Sequence, residues 1–480
     1  MKTVVRNKFA DSTTIYRNIH LEGSTVYGQG NGNLQTVEES AGKSLSFPAK
    51  SSIGLPKAIS PEQAASLVKS GDLILTPHSS ASPRAFVKAL VARADELSGV
   101  TISHVRVETP TEYLESHYSG SFFHNAFMIG PRSRKAMQEG RADFVPNCYG
   151  KIPMMLRRGI LKPDIAVLQL SPPDKYGFCS YGICTSYLPV SVEVARIVVG
   201  EINDQVPTTC GSRLHISDLH YIVDASYPLH EVPQPAITDV EAKIGANVAE
   251  LIKDGDTLQI GIGAIPDAIL AGLKGHRDLG VHTEMFSDGL VEMVEKGIIT
   301  GRKKKLHRNK IITTFVMGTN YLYKYLHQNS IVEFFPVEYT NDPSVIAQNE
   351  NLVAVNSALE VDITGQINAE SIGPRMFTGT GGQLDFAMGA QLASNGRFIV
   401  AMPATAGDGK YSRITAMLKP GSTVTTPRSL ADTIVTEYGV AELRGKNLRQ
   451  RAKALIKIAH PNFREQIERD ALERNDVCLR

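Results

Sequence analysis

The sequence predicts an α/β protein built from two domains of similar design, each a mostly parallel sheet with helices on both faces. Three observations carry this reading. Short apolar runs alternate with helical stretches through most of the chain. The order capping box, helix, glycine, strand occurs twice, from Ser60 and again from Thr238. LVKSGDLIL (67–75) also lies directly over LIKDGDTLQ (251–259), with Ser82-Pro83 over Ile265-Pro266 after a one-residue slip. A separation of about 180 residues is far beyond solenoid periods and points to two domains.

At 480 residues the chain is too long for one core. Its 42% hydrophobic and 21% charged content is ordinary for a soluble globular protein. The net charge of +2 gives no footprint for nucleic acid or an anionic membrane. No apolar run approaches the ~20 residues of a membrane span. Lys2, Arg6 and Lys8 are followed by no apolar region of a secretory signal. Five cysteines, an odd number, fit a reducing compartment, and the protein is read as cytoplasmic. Cys179 and Cys184 have no partnering CxxC or HExxH, so no metal site is expected.

Residues 1 to 58, rich in Ser, Gly, Asn and Thr, read as an irregular arm. A first domain then spans 59–235 and a second 236–480, with the proline-rich HEVPQPAIT (230–238) as linker. Ser60, Pro61 and Gln63 form an N-terminal helix signature, as do Thr238 and Glu241. Strands are expected at 72–76, 100–105, 164–170 and 195–202, and helices at 133–140 and 191–197. In the second domain a strand at 258–260 leads to a helix from Pro266 to Leu273, then a strand from Gly280 to Phe286. Segments 311–318, 320–329, 332–337 and 397–404 continue the alternation, and 352–371 can form a hairpin around Gly365. The C-terminal helical stretch is broken in two by Pro461.

The chemistry is expected between Asp256 and Gly289. Gly261-Ile262-Gly263-Ala264-Ile265 joins a strand to a helix whose first amides can receive an anion. It could open a dinucleotide fingerprint with Glu284 as the ribose-binding acid, but Pro266 stands where the third glycine belongs; a tight turn without a ligand fits as well. Glu284 ends the next strand, beside Met285 and Phe286, which would keep its carboxylate partly dry and nucleophilic. Gly379, Gly381 and Gly382, before the helix DFAMGAQLAS, form a nest able to hold an oxyanion or phosphate. SPPDKYGFC (171–179) reads as a structural turn and Arg302-Lys303-Lys304-Lys305 as an exposed loop. No GxSxG elbow and no GxxxxGK[ST] loop occur, which argues against a serine hydrolase and a nucleotide triphosphatase.

Several long stretches together resemble the acetyl-CoA hydrolase/transferase family, and within it the 4-hydroxybutyrate coenzyme A-transferase branch. They are LIKDGDTLQIGIGAIPDAIL, LGVHTEMFSDGLVE, EYTNDPSVIAQNENLVAVNSALEVDITGQINAESIG, GTGGQLDFAMGA and VTEYGVAELRGKNLRQRAKALIKIAHPNF, with SPPDKYGFCSYG in the first domain. The similarity runs from about residue 60 to 470 and leaves out the first 58. The resemblance implies two α/β domains of the CoA-transferase type with the active site in the cleft between them. It places the nucleophile on Glu284 and the CoA-binding loop on Gly261, Ile262, Gly263, Ala264 and Ile265. A second glycine loop falls on Gly379, Gly381 and Gly382, and a pocket asparagine on Asn356. It implies ping-pong transfer of CoA from an acyl-CoA to a small carboxylic acid (4-hydroxybutyrate, acetate, butyrate, succinate or itaconate) through a glutamyl-CoA thioester. CoA is then a substrate rather than a permanent cofactor, and relatives assemble as dimers or tetramers. Alternatives are an acyl-CoA hydrolase on the same scaffold, a nicotinamide oxidoreductase, and a non-catalytic ligand sensor.

Overall fold

Seven strands in each half of the chain follow the same spatial order, and this duplication organises the fold. The structure, a computed structural model, describes residues 54–109 and 111–473. Residues 1–53 of the arm lie outside them, while Lys57–Ala58 add an edge strand to the first sheet. From that edge the first sheet runs Tyr221–Ala225, Ile197–Asn203, Ile165–Leu170, Leu73–Leu75, Val100–Ser103, Phe122–Ala126 and Ala142–Phe144, all parallel. The second runs Thr433–Thr436, Arg397–Ala401, Leu352–Asn356, Thr257–Gln259, Gly280–His282, Ile311–Thr313 and Val332–Phe334 in the same sense. Gly439–Glu442 adds an antiparallel edge there, and Cys210–Gly211 crosses from the first half to pair with Val332–Phe334. Both faces of these sheets are covered, so strands such as Ile165–Leu170 are buried at every position.

The internal match at 67–75 and 251–259 is a structural repeat down to single hydrogen bonds. Gly71 and Gly255 both have φ +82, a conformation that favours glycine. Asp72 Oδ2 accepts the Lys69 amide at 2.9 Å, and Asp256 Oδ2 accepts the Lys253 amide at 2.6 Å. An arginine pairs each aspartate from the start of the strand two places away, Arg196 in the first half and Arg397 in the second. The predicted capping boxes at Ser60 and Thr238 form, with helices Pro61–Ser66 and Asp239–Ala249.

Several sequence expectations shift. The helix at 191–197 is Leu188–Val194, because Ala195 is extended and Ile197 enters the sheet against Ile165–Leu170. The helix expected from Pro266 is Ala264–Gly272. Pro266 is still within the first turn, where its missing N–H costs nothing. The loop 302–305 is not wholly exposed: Lys304 is buried, and its Nζ donates to the Val281 and Lys310 carbonyls at 2.8 and 2.9 Å. The hairpin around Gly365 forms from Glu360–Asp362 and Ile367–Asn368, and Pro461 opens the last helix, Pro461–Leu472. The Ser171–Cys179 stretch is a turn closed by Asp174, whose Oδ1 accepts the Tyr176 and Phe178 amides at 2.9 and 3.0 Å. Among the described residues no helix is long and apolar enough to cross a membrane.

One apolar core runs through both sheets, from Leu168, Leu170 and Leu188 to Leu258, Val281 and Phe286. Helices Asp239–Ala249 and Ala264–Gly272 cross at Gly245, where an added Cβ would lie 2.5 Å from the Ala268 carbonyl carbon. Gly245→Ala is therefore expected to destabilise the protein by about 1–3 kcal/mol. A lower urea midpoint measures it; an unchanged midpoint would contradict this packing.

Candidate active site

Two adjacent parallel strands break at the same level, and Glu284 sits in the break. The strand expected over 280–286 is two pieces, Gly280–His282 and Met285–Phe286; its neighbour is likewise Ile311–Thr313 and Phe315–Val316. Register is kept across the gap, Val281 facing Ile311 and Met285 facing Phe315. Two threonines hold the paired kinks. Thr283 Oγ1 lies 3.1 Å from the Ile260 and Met285 carbonyls, and Thr313 Oγ1 lies 3.1 Å from the Glu284 carbonyl. The Glu284 carbonyl also accepts the Thr314 and Phe315 amides at 3.2 and 3.1 Å. The backbone at Glu284 is thus tied down on its carbonyl side, and its side chain leaves the pleat.

That side chain meets Asn341 and Gly382. Asn341 Nδ2 donates to Glu284 Oε2 at 2.9 Å and reaches Asp385 Oδ2 at 3.4 Å. Gly382 packs so closely that a Cβ there would fall 1.8 Å from Glu284 Oε2 and 2.3 Å from Asn341 Nδ2. Its φ of −94 suits any residue, so glycine is required by space and not by conformation. Gly381, at φ +57, does need the left-handed region. Gly379 faces Phe144 and Met128, and the Gly381 carbonyl accepts the Tyr149 amide at 3.0 Å. The second glycine loop is therefore seated against residues of the first half. It ends at the N-terminus of helix Gln383–Leu392, whose first turn carries Asp385.

Burial raises the Glu284 carboxyl from 4.5 to about 7; the Asn341 donor opposes this, and the nearby Asp385 charge adds to it. Asp385, completely buried, is itself pushed up to about 6 by burial, against hydrogen bonds from Gly150 and Asn341.

The first glycine loop lies one strand over. Gly261 approaches the Met285 side chain, with a Cβ position 4.0 Å from Met285 Cε. Gly263, at φ +114, is the N-cap of helix Ala264–Gly272 and has nothing within 4 Å of its Cβ position. Ile262 and Ile265 pack on the core. No side chain caps this helix, whereas its counterpart Arg84–Val91 is occupied: the buried Glu201 carboxylate accepts the Ala85 and Phe86 amides at 3.3 and 2.8 Å. Register through Ile74, Ile165 and Ile197 in one half and Leu258, Val353 and Arg397 in the other sets Glu201 opposite Ala401. The second half has alanine where the first carries its internal anion.

Asn356 is not the asparagine on the Glu284 carboxylate. Its Nδ2 donates to Gln259 Oε1 at 2.9 Å, bracing two strand ends next to the first glycine loop. The amide at the carboxylate is Asn341, which sequence reading passed over, together with Asp385 and Gly150. Asn341 and Asp385 stand in stretches singled out above, EYTNDPSV and GQLDF, whereas Gly150 stands in none. Four asparagines lie between 341 and 356, however, and linear distance does not rank them.

The chain matches the acetyl-CoA hydrolase/transferase N-terminal domain over residues 55–231 and the C-terminal domain of the same family over residues 318–471. It is 45% identical over 419 residues to a 4-hydroxybutyrate coenzyme A transferase of Clostridium kluyveri, covering 87% of this chain and 98% of the relative. It is 40% identical over 422 residues to a succinyl-CoA:cyclohexane-1-carboxylate CoA transferase of Geobacter metallireducens, covering 88% and 96%. A crystal structure of 4-hydroxybutyrate CoA-transferase from Porphyromonas gingivalis superposes with a TM-score of 0.75 at 38% identity, covering 87% of this chain and 98% of that one. The chain belongs to the acetyl-CoA hydrolase/transferase family.

Proposed function

We propose that this protein is a coenzyme A-transferase that moves CoA from an acyl-CoA to a small carboxylic acid, with Glu284 as nucleophile. The observation that carries the reading is a desolvated carboxylate held by one amide, Asn341, against a glycine with no room for a Cβ. The names of the transferase relatives support the substrate class.

The Glu284 carboxylate attacks the thioester carbonyl of the donor, forming a mixed anhydride and releasing CoA as its thiolate. The thiolate then attacks the glutamyl carbonyl, leaving a glutamyl-CoA thioester and the free donor acid. An acceptor carboxylate reverses both steps and leaves as its CoA thioester. Covalent catalysis divides one hard exchange into easier ones. Each attack places negative charge on a carbonyl oxygen, and the amides opening helix Gln383–Leu392 at Gly382 are suited to it; one well-placed donor is worth about 3–4 kcal/mol. The uncapped start of helix Ala264–Gly272, with the loop Gly261 to Ile265, is suited to an anionic part of the CoA tail. Asn356 would support that loop through Gln259. The active site would then draw on both halves of the chain, 59–235 and 236–480.

A hydrolase reading differs only in letting water reach the glutamyl thioester, and the family includes both activities. Acceptor-independent release of CoA at the full turnover rate would favour it; release that requires an acceptor acid supports transfer.

Glu284→Ala is expected to abolish transfer in a folded protein, and borohydride reduction after incubation with acyl-CoA should modify the wild-type peptide containing residue 284. Turnover with that peptide unaltered would sink the assignment. Gly382→Ala pushes a methyl into the carboxylate and should lower kcat by about 10²-fold or more, with little change in the urea midpoint. The nucleophile must be ionised, so kcat/KM should rise with an acidic limb near pH 7. The same raised carboxyl binds its proton more tightly in the folded state, so stability is lost as pH rises from 4.5 to about 7. Glu284→Gln should therefore be more stable than wild type at pH 8 and equal to it at pH 4; a variant less stable at pH 8 would contradict the desolvation argument.

A further inference from the structure

The carboxylate of Glu284 shares its amide with a second carboxylate that the chemistry above does not use. Asn341 Nδ2 is 2.9 Å from Glu284 Oε2 and 3.4 Å from Asp385 Oδ2. Asp385 is completely buried in the first turn of helix Gln383–Leu392. Its Oδ2 also accepts the Gly150 amide at 3.0 Å, while its Oδ1 is buried with no hydrogen-bond partner. The Asn341 Oδ1 is buried and unpartnered as well. Gly150 leaves no slack, since a Cβ there would lie 3.1 Å from the Asn341 Cβ and 3.2 Å from Asp385 Oδ2. Two acids thus flank one neutral donor, with no arginine or lysine among the hydrogen-bond partners of either carboxylate among the described residues.

A pair of like charges, one completely buried and the other half-buried, with only an amide between them is costly for as long as both are ionised. We propose that Asp385 is a positioning residue for Glu284: it holds the Asn341 amide with its nitrogen toward the nucleophile, and its charge raises the energy of the free Glu284 carboxylate relative to the acylated one. When Glu284 becomes a neutral anhydride or thioester, the repulsion disappears, so the covalent states gain relative to the resting enzyme. The same arrangement fixes amide orientation, because the Asn341 oxygen turned toward either acid would set acceptor against acceptor. This inference rests on Glu284 as nucleophile and concerns what sets its reactivity.

Other charged and titratable groups act on Asp385. The Lys151 ammonium favours its ionised form and the Asp342 carboxylate opposes it. The half-buried Cys148 thiol, pushed up to about 11, adds no charge near neutral pH. Tyr149 is buried with its pKa raised, so it too stays neutral.

The test is Asp385→Asn, which keeps an oxygen for the Gly150 amide and removes the charge. With an acceptor acid that stays ionised across the range, the acidic limb of kcat/KM should move down by roughly half a pH unit or more. The fraction of enzyme held as glutamyl-CoA thioester, measured by mass spectrometry with acyl-CoA and no acceptor, should fall several-fold. Asp385→Ser, smaller and also uncharged, should move the limb the same way and decides the matter if the asparagine variant fails to fold. A limb that stays in place or moves up, in a variant that still forms the Glu284 adduct, overturns the role of Asp385 and leaves the nucleophile standing. Loss of the adduct in wild-type enzyme would instead overturn the reading of Glu284 itself.

Discussion

The constraint on which the site depends is the desolvation of one carboxylate. An exposed glutamate is a weak nucleophile, well solvated and ionised far below neutral pH. Glu284 is half-buried, with one amide donor at its Oε2 and a glycine packed against it, and its carboxyl rises to about 7. A desolvated carboxylate with so few partners is a compromise expected at functional sites and not in an optimised core. The paired strand breaks at Thr283 and Thr313 belong to the same arrangement. A continuous strand would alternate its side chains across the sheet, whereas the kink, held by two threonine hydroxyls, turns Glu284 toward Asn341.

The duplicated fold shows how such a site can arise from a structural device. In both halves a strand runs into a helix whose first amides face the ends of neighbouring strands. In the first half the Glu201 carboxylate fills that position, supported by the Tyr227 hydroxyl. In the second half the matching position is Ala401, and the helix begins at Gly263 with no side-chain cap. The same backbone geometry is satisfied internally in one copy and left open in the other. Only the open copy is suited to an external anion, which is consistent with the chemistry lying on the second-half sheet.

The two halves are nonetheless held together tightly around Glu284. The Thr185 amide bonds to the Thr314 carbonyl at 2.9 Å and the Val316 amide to the Ile183 carbonyl at 3.0 Å, next to the strand break. The Gly150 amide reaches Asp385 and the Tyr149 amide reaches Gly381. The second glycine loop is thus shaped from both sides, which explains why Gly379 must leave space for Phe144 of the first sheet.

Much of this was legible in the chain order. Glycines at 71 and 255, capping boxes at Ser60 and Thr238, and apolar runs bounded by turn residues are local signals, so alternation, duplication and the position of Glu284 between two glycine loops could be read directly. These features depend on backbone preferences and burial patterns that act within about ten residues of sequence. Tertiary structure alone decided which asparagine meets the carboxylate, that Lys304 turns inward beneath a strand, and that Asp385 stands behind Glu284. Each of those depends on contacts between segments far apart in the chain, such as 284 with 341 and 150 with 385, and close packing selects among residues of the same chemical type by fractions of an ångström.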